Sequence, residues 1–105
     1  MFTEYILFDL PEGMTREAVI QGMHEVVPRW LGRPGLIRKT FVYDAASNQA
    51  GAFYLWHHRE AAQLAHGEAW RQGIRQKYGS EPIVRCFETP LVIDNALGET
   101  ITPPP

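Results

Sequence analysis

The stretch Leu36-Ile37-Arg38-Lys39-Thr40-Phe41-Val42-Tyr43, the polar connector Asp44-Ala45-Ala46-Ser47-Asn48-Gln49, and the run Ala50-Gly51-Ala52-Phe53-Tyr54-Leu55-Trp56 together decide the fold. Two runs rich in β-branched and aromatic residues, joined by a polar segment of hairpin length, read as a pair of antiparallel strands. Neither run alternates cleanly. Leu36, Ile37, Phe41, Val42 and Tyr43 do not keep to every second position, and Phe53 to Trp56 are consecutive apolar or aromatic residues. An antiparallel sheet with one wet face alternates apolar and polar. These strands are therefore expected to be buried on both sides, with helices on one face and a second sheet on the other. A symmetric homodimer is the economical source of that second sheet.

Outward from this core, Phe2 to Leu10 is a strand-like run stopped by the turn signal Pro11-Glu12-Gly13. Thr15 can cap a helix, with Glu17 well placed in its first turn. Met14, Ala18, Val26 and Trp30, joined by Val19, Met23, Val27 and Leu31, follow helical spacing up to Gly32. Pro28 falls inside that pattern and is expected to kink or loosen the last turn. His58 to Tyr78 is predicted to be mostly helical, interrupted at Gly67, with Gly79 just beyond its end. Ile83 to Glu88 reads as a fourth strand and Leu91 to Ile93 as a short fifth. The order β-α-β-β-α-β is the split βαβ signature, so the predicted class is α+β, ferredoxin-like, with an antiparallel sheet. Residues 1–97 form the expected single domain and 98–105 a flexible C-terminal tail.

Composition narrows the partners. The chain has 105 residues and a formal net charge of -2, which argues against nucleic acid, because phosphate binding needs a concentrated basic face. Cys86 is the only cysteine, so no internal disulfide can form, and its apolar surroundings suggest an inert buried thiol. The start Met1-Phe2-Thr3-Glu4 lacks a basic leader, and no run approaches the length of a membrane span. A cytoplasmic protein with no membrane partner is expected.

The run Arg33-Pro34-Gly35-Leu36-Ile37-Arg38-Lys39, the strand Gly51-Ala52-Phe53-Tyr54-Leu55-Trp56, the Ala-rich second helical region and the final Val84-Arg85-Cys86-Phe87-Glu88 resemble the dimeric α/β-barrel superfamily. Within it, the chain looks most like the short YdhR-type monooxygenase-like proteins, over residues 2–97. This resemblance implies the fold and the homodimer. For activity it implies one of several chemistries: monooxygenation of aromatics without metal or flavin, haem degradation, lactone isomerisation, polyketide cyclisation, or no reaction. It carries no catalytic signature.

Among residues able to carry chemistry, His66, Trp70, Ile74 and Tyr78 recur every fourth position and define one stripe of the second helical region. That stripe is either plain core or the wall of a pocket suited to a flat aromatic ligand. Tyr54, Trp56 and Trp30 would complete the walls. His66 is the candidate general base, since histidine titrates near neutral pH. Arg38 and Arg85 interrupt apolar strands, and each needs a carboxylate or an anionic ligand, so they either form ion pairs or clamp a phenolate. His57 and His58 project to different sides and lack a carboxylate at useful spacing, so no metal site is expected. His66 as a haem ligand has no supporting feature, and neither nucleotide-binding fingerprint occurs, so no cofactor is expected. The expected function is a cofactor-independent monooxygenase of a small aromatic substrate. The alternatives are a non-catalytic, stress-related dimer that holds an aromatic or apolar ligand, and a lactone isomerase or cyclase.

Overall fold

Phe2, Ile6 and Phe8 share one phase of the alternation, with Glu4 the single acid among them, and the first strand, β1 (Phe2–Asp9), lies inside a four-stranded sheet. A computed structural model of the chain describes residues 1–104. After β1 the chain forms helix α1 (Arg16–Trp30), strands β2 (Leu36–Asp44) and β3 (Gln49–Trp56), helices α2 (Arg59–Ala65) and α3 (Glu68–Tyr78), and β4 (Ile83–Glu88). A hairpin of β5 (Val92–Asp94) and β6 (Glu99–Ile101) follows. The main sheet is antiparallel throughout, in the order β2-β3-β1-β4. The class is α+β, and no helix among the described residues is long and apolar enough to cross a membrane.

Local chemistry sets the helix ends. The Thr15 hydroxyl accepts the Ala18 N–H at 3.1 Å, giving one otherwise unpaired first-turn donor a partner. α1 continues through Pro28 to Trp30, and the Leu31 N–H reaches the Val27 carbonyl at 2.9 Å. A proline so near the end forfeits only one late helical bond, and the helix absorbs it. Gly79 ends α3 with φ 74°, the left-handed conformation glycine adopts without strain.

The second helical region breaks into two helices at Gly67, as expected, and α3 runs on through Gly73. His66 leaves helical geometry at φ -119°, ψ 46°, and Gly67 follows in extended conformation. His66 therefore caps α2, while Trp70, Ile74 and Tyr78 belong to α3. The chain also stays ordered where a free tail was expected: Glu99–Ile101 pairs with Val92–Asp94. Asp94 ties this hairpin to the sheet by accepting the Leu97 N–H at 3.0 Å and pairing with Arg38 of β2. Those contacts, the Leu97 N–H first, hold its carboxyl below the usual range.

Strand register assigns the two faces. Glu4, Ile6 and Phe8 of β1 lie beside Tyr54, Ala52 and Ala50 of β3, and this face packs on the helices through Trp30, Ala62 and Ala65. A bulge between Leu36 and Arg38 shifts the phase of β2. Lys39 consequently pairs with Tyr54 on the helix face, while Arg38 pairs with Leu55 on the opposite one. That opposite face carries Tyr5, Phe53, Ile83 and Phe87; the hairpin reaches it at Arg38, beside the buried Leu55, and much of the rest is open among the described residues. Phe53, Ile83 and Phe87 are 43%, 51% and 45% exposed, and the Tyr5 and Phe53 rings meet at 5.2 Å.

Candidate functional site

Between the helix face of the sheet and helices α1 and α3 lies a cavity of about 430 Å³. Its volume is in the range of small-molecule sites. Strands β1 and β3 give it an apolar floor of Ile6, Phe8 and Ala52, and the helices wall it with Met23, Trp30, Trp70, Ile74 and Tyr78. The small residues Gly22 and Gly73 on the facing helices and Ala50 to Ala52 on β3 leave the space open, since larger side chains there would fill it. Trp30, Tyr54, Trp70, Ile74 and Tyr78, all expected from sequence to line a pocket, are brought together here.

One end of the cavity abuts a buried polar cluster. Glu4 and His66 are only 3% and 5% exposed, and Trp56 is fully buried. The Trp56 indole N–H donates to Glu4 Oε1 at 3.0 Å, and His66 Nδ1 meets the same oxygen at 2.7 Å. With Nδ1–H donating to the carboxylate, Nε2 is the nitrogen left with a lone pair. Nε2 is buried and has no hydrogen-bond partner. The imidazole is enclosed by aromatic rings, with Trp70 at 4.4 Å, Tyr54 at 4.6 Å and Trp30 at 5.4 Å between ring centres. Those three rings line the cavity and the imidazole lies behind them. Burial, helped by the Glu4 carboxylate, pushes the Tyr54 phenol well above its ordinary pKa, so its O–H stays protonated. Trp56 is no wall residue: it holds Glu4 in place.

Arg38 and Arg85 stand elsewhere. Both are on the uncovered face of the sheet, across the strands from the cavity, because Arg38 follows the β2 bulge and Arg85 pairs with Tyr5. Arg38 is occupied by Asp94, and the Arg85 guanidinium lies 4.8 Å from the Phe87 ring centre. Neither can clamp a ligand in this cavity. His57 and His58 are exposed at the junction of β3 and α2, with ring centres 6.2 Å apart, and do not approach His66. Cys86 is half-buried, and burial raises its thiol pKa.

The cation that does reach the cavity is Lys39. Its Nζ lies 4.1 Å from the Trp30 ring centre, 4.2 Å from Phe41 and 4.7 Å from Tyr54. Burial, with the Arg29 guanidinium nearby, lowers its pKa to about 7. Two residues thus escaped the sequence reading of the site. Glu4 was legible as the one acid in phase with Phe2, Ile6 and Phe8. Lys39 was legible only in phase with Phe41 and Tyr43. Compared with protein-family models and with curated proteins, the chain matches none.

Proposed function

We propose that this chain is a ferredoxin-like protomer of a dimeric α/β barrel, cytoplasmic, whose cavity takes a small aromatic substrate and oxygenates it without metal or flavin. The observation that carries the proposal is the aromatic cavity of about 430 Å³ backed by a carboxylate-oriented imidazole with a free nitrogen. The sheet order β2-β3-β1-β4 supports the fold, since two split βαβ units interleave in that order. The uncovered apolar face, continued by exposed Ile93 and Leu97 of the hairpin, supports a second copy as its cover.

In this reading His66 is the base and Glu4 its positioning residue. The substrate's phenolic O–H bond breaks and its proton goes to His66 Nε2. Glu4 accepts from the other nitrogen and stabilises the imidazolium that forms. The electron-rich anion passes one electron to O₂, the two radicals recombine to form a carbon–oxygen bond, and the imidazolium returns its proton to the peroxide. Loss of water from the resulting hydroperoxide leaves a quinone, so O₂ is the only oxidant and ends as one quinone oxygen and one water. The enclosing rings keep bulk water from the radical pair. The Trp70 ring would have to turn aside to admit the substrate oxygen to Nε2.

That requirement favours one second reading: a protein that holds an aromatic ligand unchanged, with Glu4 and His66 as structural core. Oxygen uptake and product analysis with a panel of hydroxynaphthalenes and hydroxyanthracenes separate the two. Quinone formation lost in His66→Gln, with binding retained, is expected for the oxygenase. Saturable binding with the ligand recovered unchanged would establish the holder instead, and absence of binding would overturn both.

A further inference from the structure

We propose that the cavity selects anionic amphiphiles: an aromatic carboxylate or phenolate whose charged head lies beside Lys39 and Arg29, with its rings in the apolar space behind. This rests on the cavity being a site for a small aromatic molecule, and it narrows that molecule to one charge class.

The charge of the lining carries the inference. The chain has 12 acidic and 10 basic residues, yet the charged residues that line the cavity are Arg29, Lys39 and Lys77, and no Asp or Glu is among them. Lys39 takes part in none of the ion pairs among the described residues. Its neighbours are the faces of Trp30, Phe41 and Tyr54, which attract a cation through their quadrupoles but do not neutralise it. Glu4, the carboxylate on the same sheet face, is two strands away and already accepts from Trp56 and His66. A half-buried ammonium beside a guanidinium, with no counter-charge, is a costly arrangement in a folded protein. Burial first, and the Arg29 charge second, lower its pKa, in keeping with that cost. A ligand anion supplies the partner, and it gains more here than in water because the surrounding rings reduce screening. The flat walls of Trp30, Tyr54 and Trp70 then accept the ligand's rings edge-on or offset.

The competing account is that the aromatic cage alone satisfies Lys39 and that charge plays no part in ligand choice. Titration of intrinsic tryptophan fluorescence with 2-naphthoate and with its neutral isostere 2-naphthamide distinguishes them. Wild-type protein, Lys39→Met and Lys39→Arg are compared. On wild type the carboxylate is expected to bind about tenfold more tightly than the amide, the scale of one charge-assisted contact. Lys39→Met is expected to bring the two ligands within about twofold, with near-UV circular dichroism like that of wild type showing that it is folded; Lys39→Arg keeps the preference. Equal affinities on wild type, or a preference that survives in Lys39→Met, would overturn charge selection and leave the aromatic site standing. Failure of both ligands to bind would overturn the aromatic site itself, and this inference with it.

Discussion

Replacing Glu4 tests the buried cluster on which the site is built. Its Oε1 accepts two hydrogen bonds, from the Trp56 indole at 3.0 Å and from His66 Nδ1 at 2.7 Å, and all three residues are buried. Glu4→Leu fills a similar volume and removes the acceptor, so two donors are left in an apolar interior. Each unpaired buried donor costs roughly 1–3 kcal/mol, and loss of a buried carboxylate returns part of that. The net expectation is a loss of about 2–4 kcal/mol, a large share of the roughly 5–15 kcal/mol that holds a domain of this size. Glu4→Gln keeps an oxygen that can accept both bonds but gives up the carboxylate's charge, so a smaller loss of about 1–2 kcal/mol is expected. Urea denaturation followed by tryptophan fluorescence measures both, and the ordering Leu worse than Gln worse than wild type is the signature. If Glu4→Leu were within about 0.5 kcal/mol of wild type, the carboxylate would not be anchoring Trp56 and His66, and the reasoning would fail.

Other expectations are independent of that cluster. A Cβ on Gly51 would stand 1.9 Å from the Ile6 carbonyl oxygen, so Gly51→Ala must push β1 and β3 apart; a loss of about 3 kcal/mol or more, read by denaturation or soluble yield, is expected. Phe53→Asp places a charge at the centre of the uncovered sheet face, and light scattering is expected to show a dimer for wild type and a monomer for the variant. A monomeric wild type would contradict the second sheet. Lys39 gives a pH signature whose sign follows from its lowered pKa. Between about 7 and 10.5 the unfolded chain holds a proton that folded Lys39 has released, so stability rises with pH across that window. The full difference corresponds to at most about 5 kcal/mol, and partial solvent contact reduces the expectation to about 1–2 kcal/mol. The Arg29 guanidinium lies nearby and Lys77 lines the far side of the cavity, Tyr54 is pushed upward out of the window, and comparison with Lys39→Met isolates the contribution of Lys39. A slope unchanged in Lys39→Met would refute the assignment.

Much of the architecture was legible because its signals are local. Thr15 at the helix start, Gly79 at a helix end and the polar Asp44–Gln49 connector each act through their own few residues, and each does what its chemistry implies. The misreadings arose where a distant residue decides. Gly67 announced the interruption of the helical region, but His66 was read in one stripe with Trp70, Ile74 and Tyr78; its bond to Glu4, 62 positions away, lies outside anything that spacing reveals. Glu99–Ile101 was read as tail because nothing nearby orders it, whereas its order comes from pairing with β5 and from Asp94 gripping Arg38. The two adjacent cations Arg38 and Lys39 show the same limit most sharply. Strict alternation from Leu36 would have turned Arg38 inward; the bulge between them reverses the phase and sends Lys39 to the cavity instead.

The central claim is that a small aromatic molecule occupies the cavity between the sheet and helices α1 and α3. The three tryptophans are built-in reporters of it, since Trp30 and Trp70 line the cavity and Trp56 lies fully buried beside it. The most direct measurement is a titration of ¹⁵N-labelled protein with 2-naphthol, following the three indole N–H resonances. Saturable shifts at Trp30 and Trp70, larger than any at Trp56, are the expected result. Indole signals that stay fixed, or that move without saturating, would contradict the claim.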